Sequence, residues 1–189
     1  IHGAAMTHVD ECELHPDQAT LLNVEGTRNI ANAANEVGAH VVHISTDFIF
    51  DGKDGPYKED AKAQPLSHYG WTKLEAEDII KDLPSWSILR TVLVIGIAED
   101  LSRSNIVLWA KGALEKGQPI NVVDDQFRTP TLAEDLAQGA LLAADQCAQG
   151  VFNISGPDFM SIYVLVGQVA AYFGLSMESV TGTESTTFN

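Results

Sequence analysis

Tyr69 and Lys73 stand four residues apart in Tyr69-Gly70-Trp71-Thr72-Lys73. On a helix that spacing puts both side chains on one face. A free phenol titrates at about pH 10, too high to exchange protons readily at neutral pH. A nearby ammonium favours the phenolate, so Lys73 is expected to lower the Tyr69 pKa and make the phenol a usable acid or base. Upstream, Ser45-Thr46-Asp47 follows Val41-Val42-His43-Ile44, a β-branched run that reads as a buried parallel strand. Ligands of open α/β sheets bind at the carboxyl ends of the strands. A Thr46 hydroxyl at that edge and a Tyr69 phenol on the next helix can converge on one carbonyl oxygen. Each part alone has a bland reading: an exposed amphipathic helix for the Tyr/Lys pair, and a turn or helix cap for Ser45-Thr46-Asp47. The joint pattern is what points to a site.

The elements that must position these groups are legible around them. Pro16 to Gly38 reads as a helix, with Leu22, Ile30, Ala33, Ala34 and Val37 at helical spacing and Gly38 as its stop. Residues 51–66 carry Gly52, Gly55, Pro56 and Pro65 and form a long loop, a length more often functional than idle. Residues 67–82 read as a second helix with Ser67 as N-cap, Glu75 and Glu77 outside, Trp71 in packing and Pro84 beyond its end. Trp86 to Val94 reads as one strand, Asn105 to Gly117 as a helix and Pro119 to Val123 as a strand. A helix from about Leu132 to Cys147, a strand Val151 to Ile154 and a Ser161-capped helix ending at Gly174 follow. Thr181 to Asn189 reads as a polar tail without an element. The alternation predicts an α/β fold with a mainly parallel sheet, and a change of role falls near residue 94. The chain opens on Ile1-His2-Gly3-Ala4-Ala5, which reads as the end of a strand running into a turn, so both ends are expected to be internal to a longer protein.

The chain has 189 residues, with 26 acidic and 11 basic side chains and a formal charge of −15. Such a surface repels phosphate backbones and argues against general nucleic-acid binding. It does not forbid a nucleotide, which a few backbone N–H groups and a placed cation can hold. No run reads as membrane-spanning or as a signal peptide. Cys12 and Cys147 read as reduced thiols, so the expected location is cytoplasmic. His2, His8 and His15 fit no zinc spacing, and no metal is expected. His43 is expected to be a satisfied core histidine; His68, beside Tyr69, has a structural reading and a substrate-contacting one.

Several segments together resemble the extended short-chain dehydrogenase/reductases, and within them the dTDP-4-dehydrorhamnose reductases. Ala4-Ala5-Met6-Thr7-His8-Val9-Asp10 is similar to that subfamily's Ala-Ala-x-Thr-x-Val-Asp segment. Asn23-Val24-Glu25-Gly26-Thr27-Arg28-Asn29 resembles the Asn-x-x-Gly-Thr-x-Asn stretch of extended members. Ser45 to Gly52 resembles Ser-Thr-Asp-Tyr-Val-Phe-x-Gly, and Tyr69 to Glu77 continues the match. Leu89-Arg90-Thr91 fits the next strand, and Asp125-Gln126-Phe127-Arg128-Thr129-Pro130-Thr131 resembles Asp-Gln-x-x-x-Pro-Thr on the sugar-nucleotide side.

The resemblance implies a Rossmann-like, doubly wound, mainly parallel sheet whose N-terminal strands lie upstream of Ile1, with a smaller sugar-nucleotide-binding α/β part. Residues 1–94 would belong to the dinucleotide-binding domain and residues 95–189 mainly to the substrate side, with segments returning to the core. It implies reduction of a nucleotide-linked 4-keto sugar with NADP(H) or NAD(H), and a homodimer. Tyr69 would protonate the carbonyl oxygen, Thr46 would orient it, and Lys73 would bond the nicotinamide ribose. Ala4, Ala5, Thr91 and Val92 would line the cofactor; Asp47, Phe48 and Leu93 would face the sugar; Arg128 would meet the diphosphate. The alternatives are an epimerase or dehydratase of the same superfamily, and a non-catalytic subunit like the regulatory partner of methionine adenosyltransferase. Two departures bear on the substrate: Phe48 and Leu93 stand where the rhamnose reductases carry Tyr and Trp, which removes a polar handle and stacking area. The glycine-rich phosphate-binding turn is not in this sequence, and the basic segment that follows in the family is not either.

Overall fold

A computed structural model describes residues 1–97 and 105–188. In chain order the elements are α1 (Val9–Leu14), α2 (Pro16–Thr20), a π-helical turn (Leu21–Glu25), α3 (Gly26–Val37), β1 (Val41–Thr46), a 3-10 turn (Asp47–Ile49), α4 (His68–Lys81), β2 (Trp86–Thr91), β3 (Val94–Ile95), α5 (Ile106–Glu115), β4 (Ile120–Val123), β5 (Phe127–Arg128), β6 (Thr131–Leu132), α6 (Ala133–Asp145), β7 (Gly150–Ile154), β8 (Met160–Ser161), α7 (Ile162–Phe173), β9 (Val180–Thr183) and a closing 3-10 turn (Ser185–Phe188). They form two compact units: Ile1–Thr91 with Leu136–Ile154, and Val92–Asp135 with Ser155–Asn189.

The first unit is built on a parallel sheet in the order β1–β2–β7. Helices cover both faces, as in a doubly wound fold. On one face Ala31 and Ala34 of α3 and Ile80 of α4 pack on Val41 and Ile88. On the other, Ala140 and Ala143 of α6 pack on Val42 and Leu89. His2 bridges His43 in parallel at the β1 edge. Gly38 closes α3 in the left-handed conformation, φ 67°, where a side chain would be strained.

The apolar residues expected on the buried face of α3 are partly on the wrong side. Leu22, Ile30 and Val37 are exposed, whereas Thr27, Ala31 and Ala34 are buried. The strand expected from Trp86 to Val94 breaks at Leu93, which takes φ 39°. β2 stops at Thr91, and β3 pairs instead with β6. The turn is tied by Thr131, whose hydroxyl donates to the Val92 carbonyl at 2.6 Å and whose N–H reaches the Leu93 carbonyl at 3.3 Å.

In the second unit, α5 and α7 pack Ala110, Leu114, Val166, Val169 and Ala170 around Val122 of β4. β4 pairs in parallel with β9, Ile120 opposite Val180. The segment expected to be an unstructured tail therefore contains a strand, whose partner is remote in sequence. β5 and β8 form a short antiparallel pair. Ser161 accepts from the Val164 N–H and caps α7, which ends at Gly174 as expected. Among the described residues, no helix is long and apolar enough to cross a membrane.

Candidate functional site

Thr46 ends β1 and Thr91, its partner in register, ends β2, so both lie at the carboxyl edge of the sheet. α4 begins after the Ser67 cap, whose hydroxyl accepts from the Gly70 N–H at 3.1 Å. This start puts Tyr69 in the first turn, against Cys12 and Ala19, with the Phe48 ring edge-on at 5.6 Å. The Thr46 side chain stands close enough to the Tyr69 phenol to favour its ionised form. Thr46 Oγ1 also donates to Asp47 at 3.2 Å and accepts from the Phe48 N–H at 3.2 Å, so its orientation is set by the turn that follows β1.

Lys73 is buried one helical turn further on. Its amine donates to the Ile44 carbonyl at 2.8 Å and lies 3.2 Å from His43 Nε2. Burial pulls its pKa down to about 8, with Glu77 acting the other way. Burial pushes the Tyr69 phenol up to about 12, the nearby Thr46 hydroxyl opposes this, and Asp47 and Cys12 add to it. The expected lowering of the Tyr69 pKa by Lys73 is not what the geometry gives. The ammonium is turned to the β1 backbone, and none of the influences on the phenol comes from it. The phenol is therefore held in its protonated, donating form at neutral pH.

These shifts give two opposite arms to stability against pH. Between about 8 and the ordinary 10.5, the unfolded chain keeps a Lys73 proton that the folded chain has released. Stability therefore rises with pH across that window, and this gain is lost as pH falls through about 8. Between 10 and about 12 the folded chain keeps a Tyr69 proton that the unfolded chain has lost, so stability falls. Each arm amounts to roughly 3 kcal/mol at full extent. Denaturant unfolding across this pH range should show the rise and then the fall. Lys73→Met should abolish the first and Tyr69→Phe the second.

Residues without an assigned role turn out to hold the site. Asn23, in the π-helical turn, accepts from the Met6 N–H at 2.7 Å and donates to the Met6 carbonyl at 3.0 Å. Its amide also donates to Thr72 Oγ1 at 2.9 Å, which clamps the 4–7 segment to α4. Glu77, expected outside, is fully buried. Arg90 Nε and Nη2 donate to its two oxygens at 2.9 and 2.7 Å, and Ser45 Oγ donates at 2.6 Å. Burial alone would raise the Glu77 pKa; the Arg90 and Ser45 bonds with the Arg90 and Lys81 charges outweigh it and hold the carboxyl below its usual value. Arg90 Nη1 reaches the Glu59 carbonyl at 2.8 Å, and Asn153 donates to the Tyr57 carbonyl at 3.0 Å, so the long loop is tied to β2 and β7. The sequence signal for Glu77 was its place four residues after Lys73 on one face of α4.

Gly70 reports how closely α4 approaches the site. A Cβ there would overlap the Phe48 carbonyl oxygen and come within 2.9 Å of Pro65 Cβ. Gly70→Ala should destabilise by about 1–3 kcal/mol through overpacking. Gly112→Ala on α5, where a Cβ meets nothing within 4 Å, should instead stabilise by about 0.5–1 kcal/mol. Thermal melts of the two variants test the pair.

Of the other candidate residues, Ala4 is exposed and Ala5 half-buried after the His2 bridge. Asp47 and Phe48 flank the Thr46 turn. Val92, Leu93 and Arg128 belong to the second unit. Arg128 donates to the Phe127 carbonyl at 2.9 Å and to Gln126 at 3.3 Å. His68 is structural in its contacts: its Nε2 donates to the Pro16 carbonyl at 3.1 Å and its N–H to Glu13 at 2.6 Å. Trp71, expected in packing, is 57% exposed. His43 is buried as expected but is not fully satisfied, since its Nδ1 has no partner among the described residues. Among those residues no group of three or more potential ligands could hold a metal ion.

The chain is 33% identical over 181 residues to Methionine adenosyltransferase 2 subunit beta of Xenopus tropicalis, covering 93% of this chain and 54% of that protein. It thus spans about half the length of the curated relatives it matches. It aligns with the crystal structure of a dTDP-4-dehydrorhamnose reductase, an RfbD ortholog, from Clostridium acetobutylicum at TM-score 0.91 and 34% identity, over 98% of this chain and 65% of that one. It also aligns with dTDP-4-dehydrorhamnose reductase of Bacillus anthracis in complex with NADP, at TM-score 0.93 and 28% identity, over 100% of this chain and 66% of that one. The family described as RmlD substrate binding domain matches residues 1–189. With its parallel sheet, its Tyr69/Lys73 helix and that full-length match, the chain belongs to the RmlD substrate binding domain family.

Proposed function

We propose that this chain carries the carbonyl-protonating site of an NADP(H)- or NAD(H)-dependent reductase of a nucleotide-linked 4-keto sugar. The observation that carries the reading is the buried Tyr69 phenol beside Thr46, which ends β1 at the carboxyl edge of the sheet. The similarity to dTDP-4-dehydrorhamnose reductases, one of them in complex with NADP, supports the class of reaction and cofactor. The donor set fits such a cofactor, since Lys73 offers amine donors for a ribose and small Ala4 and Ala5 leave their backbone approachable. Thr91 and Val92 complete the cofactor-lining set.

The nicotinamide, when bound, supplies a hydride to the carbonyl carbon. Negative charge then develops on the carbonyl oxygen, and the chain's task is to neutralise it. Tyr69 donates its phenolic proton to that oxygen. A phenol held up at about 12 is fully protonated at neutral pH, so the acid is always loaded. Thr46, beside the phenol, orients the oxygen by turning to it the hydroxyl proton that it otherwise gives Asp47. Lys73, held by the Ile44 carbonyl and His43, offers its remaining N–H to the nicotinamide ribose. Asp47, Phe48 and Leu93 contact the sugar, and Arg128 forks onto the diphosphate. Residues 1–94 are assigned to the dinucleotide side and residues 95–189 mainly to the substrate side.

The deciding experiment follows reduced nicotinamide consumption by the full-length protein with dTDP-4-dehydrorhamnose. Stoichiometric consumption is the expected result. Bound cofactor without consumption on this or other nucleotide-linked 4-keto sugars would overturn the reading. A second reading, a partner subunit without turnover, rests on the 33% identity to Methionine adenosyltransferase 2 subunit beta. Co-purification with a methionine adenosyltransferase and no turnover would favour it.

A further inference from the structure

His43 presents a contradiction that its neighbours resolve. It lies in the middle of β1, 1% exposed, between the apolar Val42 and Ile44 and in register with Ile88 of β2. One ring nitrogen, Nε2, is 3.2 Å from the Lys73 amine. The other, Nδ1, is the buried side-chain polar atom that finds no partner among the described residues. An ammonium has only donors to offer, so the Nε2 that meets it must be the acceptor. The proton of the neutral imidazole then sits on Nδ1, where it is buried and unpaired. Leaving a buried donor unpaired is unfavourable, and an apolar side chain of similar shape would avoid it. The strand keeps the histidine, and what the histidine provides in return is an acceptor for Lys73.

We propose that His43 is the positioning residue of Lys73: a neutral imidazole, protonated on Nδ1, whose Nε2 fixes the amine together with the Ile44 carbonyl and leaves the third N–H for a ligand hydroxyl. The inference rests on the reading that Lys73 serves the reaction. The groups facing the ring agree with a neutral state. Lys73 approaches from α4, and the His2 ring lies 5.2 Å away on the neighbouring segment. Burial, the Lys73 charge and His2 together hold the His43 pKa well below its ordinary value. His2 is itself held low by burial and then by Lys73, and its Nε2 is engaged 3.0 Å from Thr27 Oγ1. Thr27 donates its own hydroxyl proton to the Asn23 carbonyl at 2.7 Å, so His2 Nε2 is the donor of that pair. Both histidines thus turn Nε2 to their partners, one donating and one accepting.

The test reads the ring directly and needs no turnover, so it stands apart from the success or failure of the reductase assay. Long-range proton–nitrogen NMR of the full-length, histidine-labelled protein reports which nitrogen of His43 carries the proton, with His43→Gln identifying the signal. The expected result is the neutral Nδ1–H tautomer, unchanged from about pH 8 to pH 6. A protonated Nε2, or an imidazolium within that range, would overturn the proposal. The second measurement titrates the Lys73 ε-methylene, assigned with Lys73→Met. His43→Phe removes the acceptor and should lower the Lys73 midpoint by about one unit, a tenfold loss of proton affinity. His43→Gln keeps an acceptor oxygen and should restore most of it. A midpoint unmoved in His43→Phe would reduce His43 to a packing residue; if that variant does not fold, the wild-type tautomer decides.

Discussion

Tyr69→Phe is expected to lower kcat of the full-length protein by about 10²–10⁴-fold, the usual worth of a positioned acid. Only the phenolic oxygen is lost. The ring keeps its contacts with Cys12, Ala19 and Phe48, so the first turn of α4 stays in place. Loss of the buried hydroxyl should change stability by about 1 kcal/mol. Because proton donation belongs to the transition state, KM should move much less than kcat. Steady-state kinetics with a parallel melt separate these effects. Turnover within tenfold of the parent would mean that another group protonates the oxygen, and the proposed mechanism would fail with it.

Glu77→Ala is expected to destabilise the fold by about 3–5 kcal/mol, because it strands the Arg90 charge in the interior. Arg90 is 6% exposed, and Glu77 is the carboxylate partner of both its Nε and its Nη2. Against a total stability of about 5–15 kcal/mol, that is a large fraction. The double variant Glu77→Leu/Arg90→Met removes both charges and should recover much of the loss. Denaturant midpoints of the singles and the double measure the coupling. A Glu77→Ala loss below about 1 kcal/mol would mean that the pair is idle. The same bond set ties Ser45, next to Thr46, to α4, and Arg90 to the Glu59 carbonyl in the long loop. A destabilised Glu77 variant should therefore also lose turnover before it unfolds.

Much of this was readable along the chain, because the signals are local. Strand β1 is a β-branched run, α4 has its Ser67 cap, and α7 has both Ser161 and Gly174. A cap, a stop and a periodicity act within a few residues, so the sequence carries them whole. The elements that were misread lack such signals. β9 is a Val-Thr-Gly-Thr stretch whose strand character comes from β4, and β2 stops early because Thr131 ties down Val92 and Leu93.

For the site, residue type and spacing alone picked out Tyr69, Lys73 and Thr46, since a helical turn and a strand end dictate where such groups point. Direction and environment belonged to the tertiary structure. Glu77 is charged, and only the Arg90 and Ser45 donors brought by neighbouring strands make its burial tolerable. Lys73 bonds Ile44 and His43 rather than tuning the phenol, because the surface of β1 lies under it. The sequence by itself determined which chemically capable side chains are present and which elements carry them. Only the packing of α4 on β1 and β2 decided the protonation of Tyr69 and Lys73 and the partners of Glu77 and His43, because burial and hydrogen-bond partners are properties of neighbours remote in sequence.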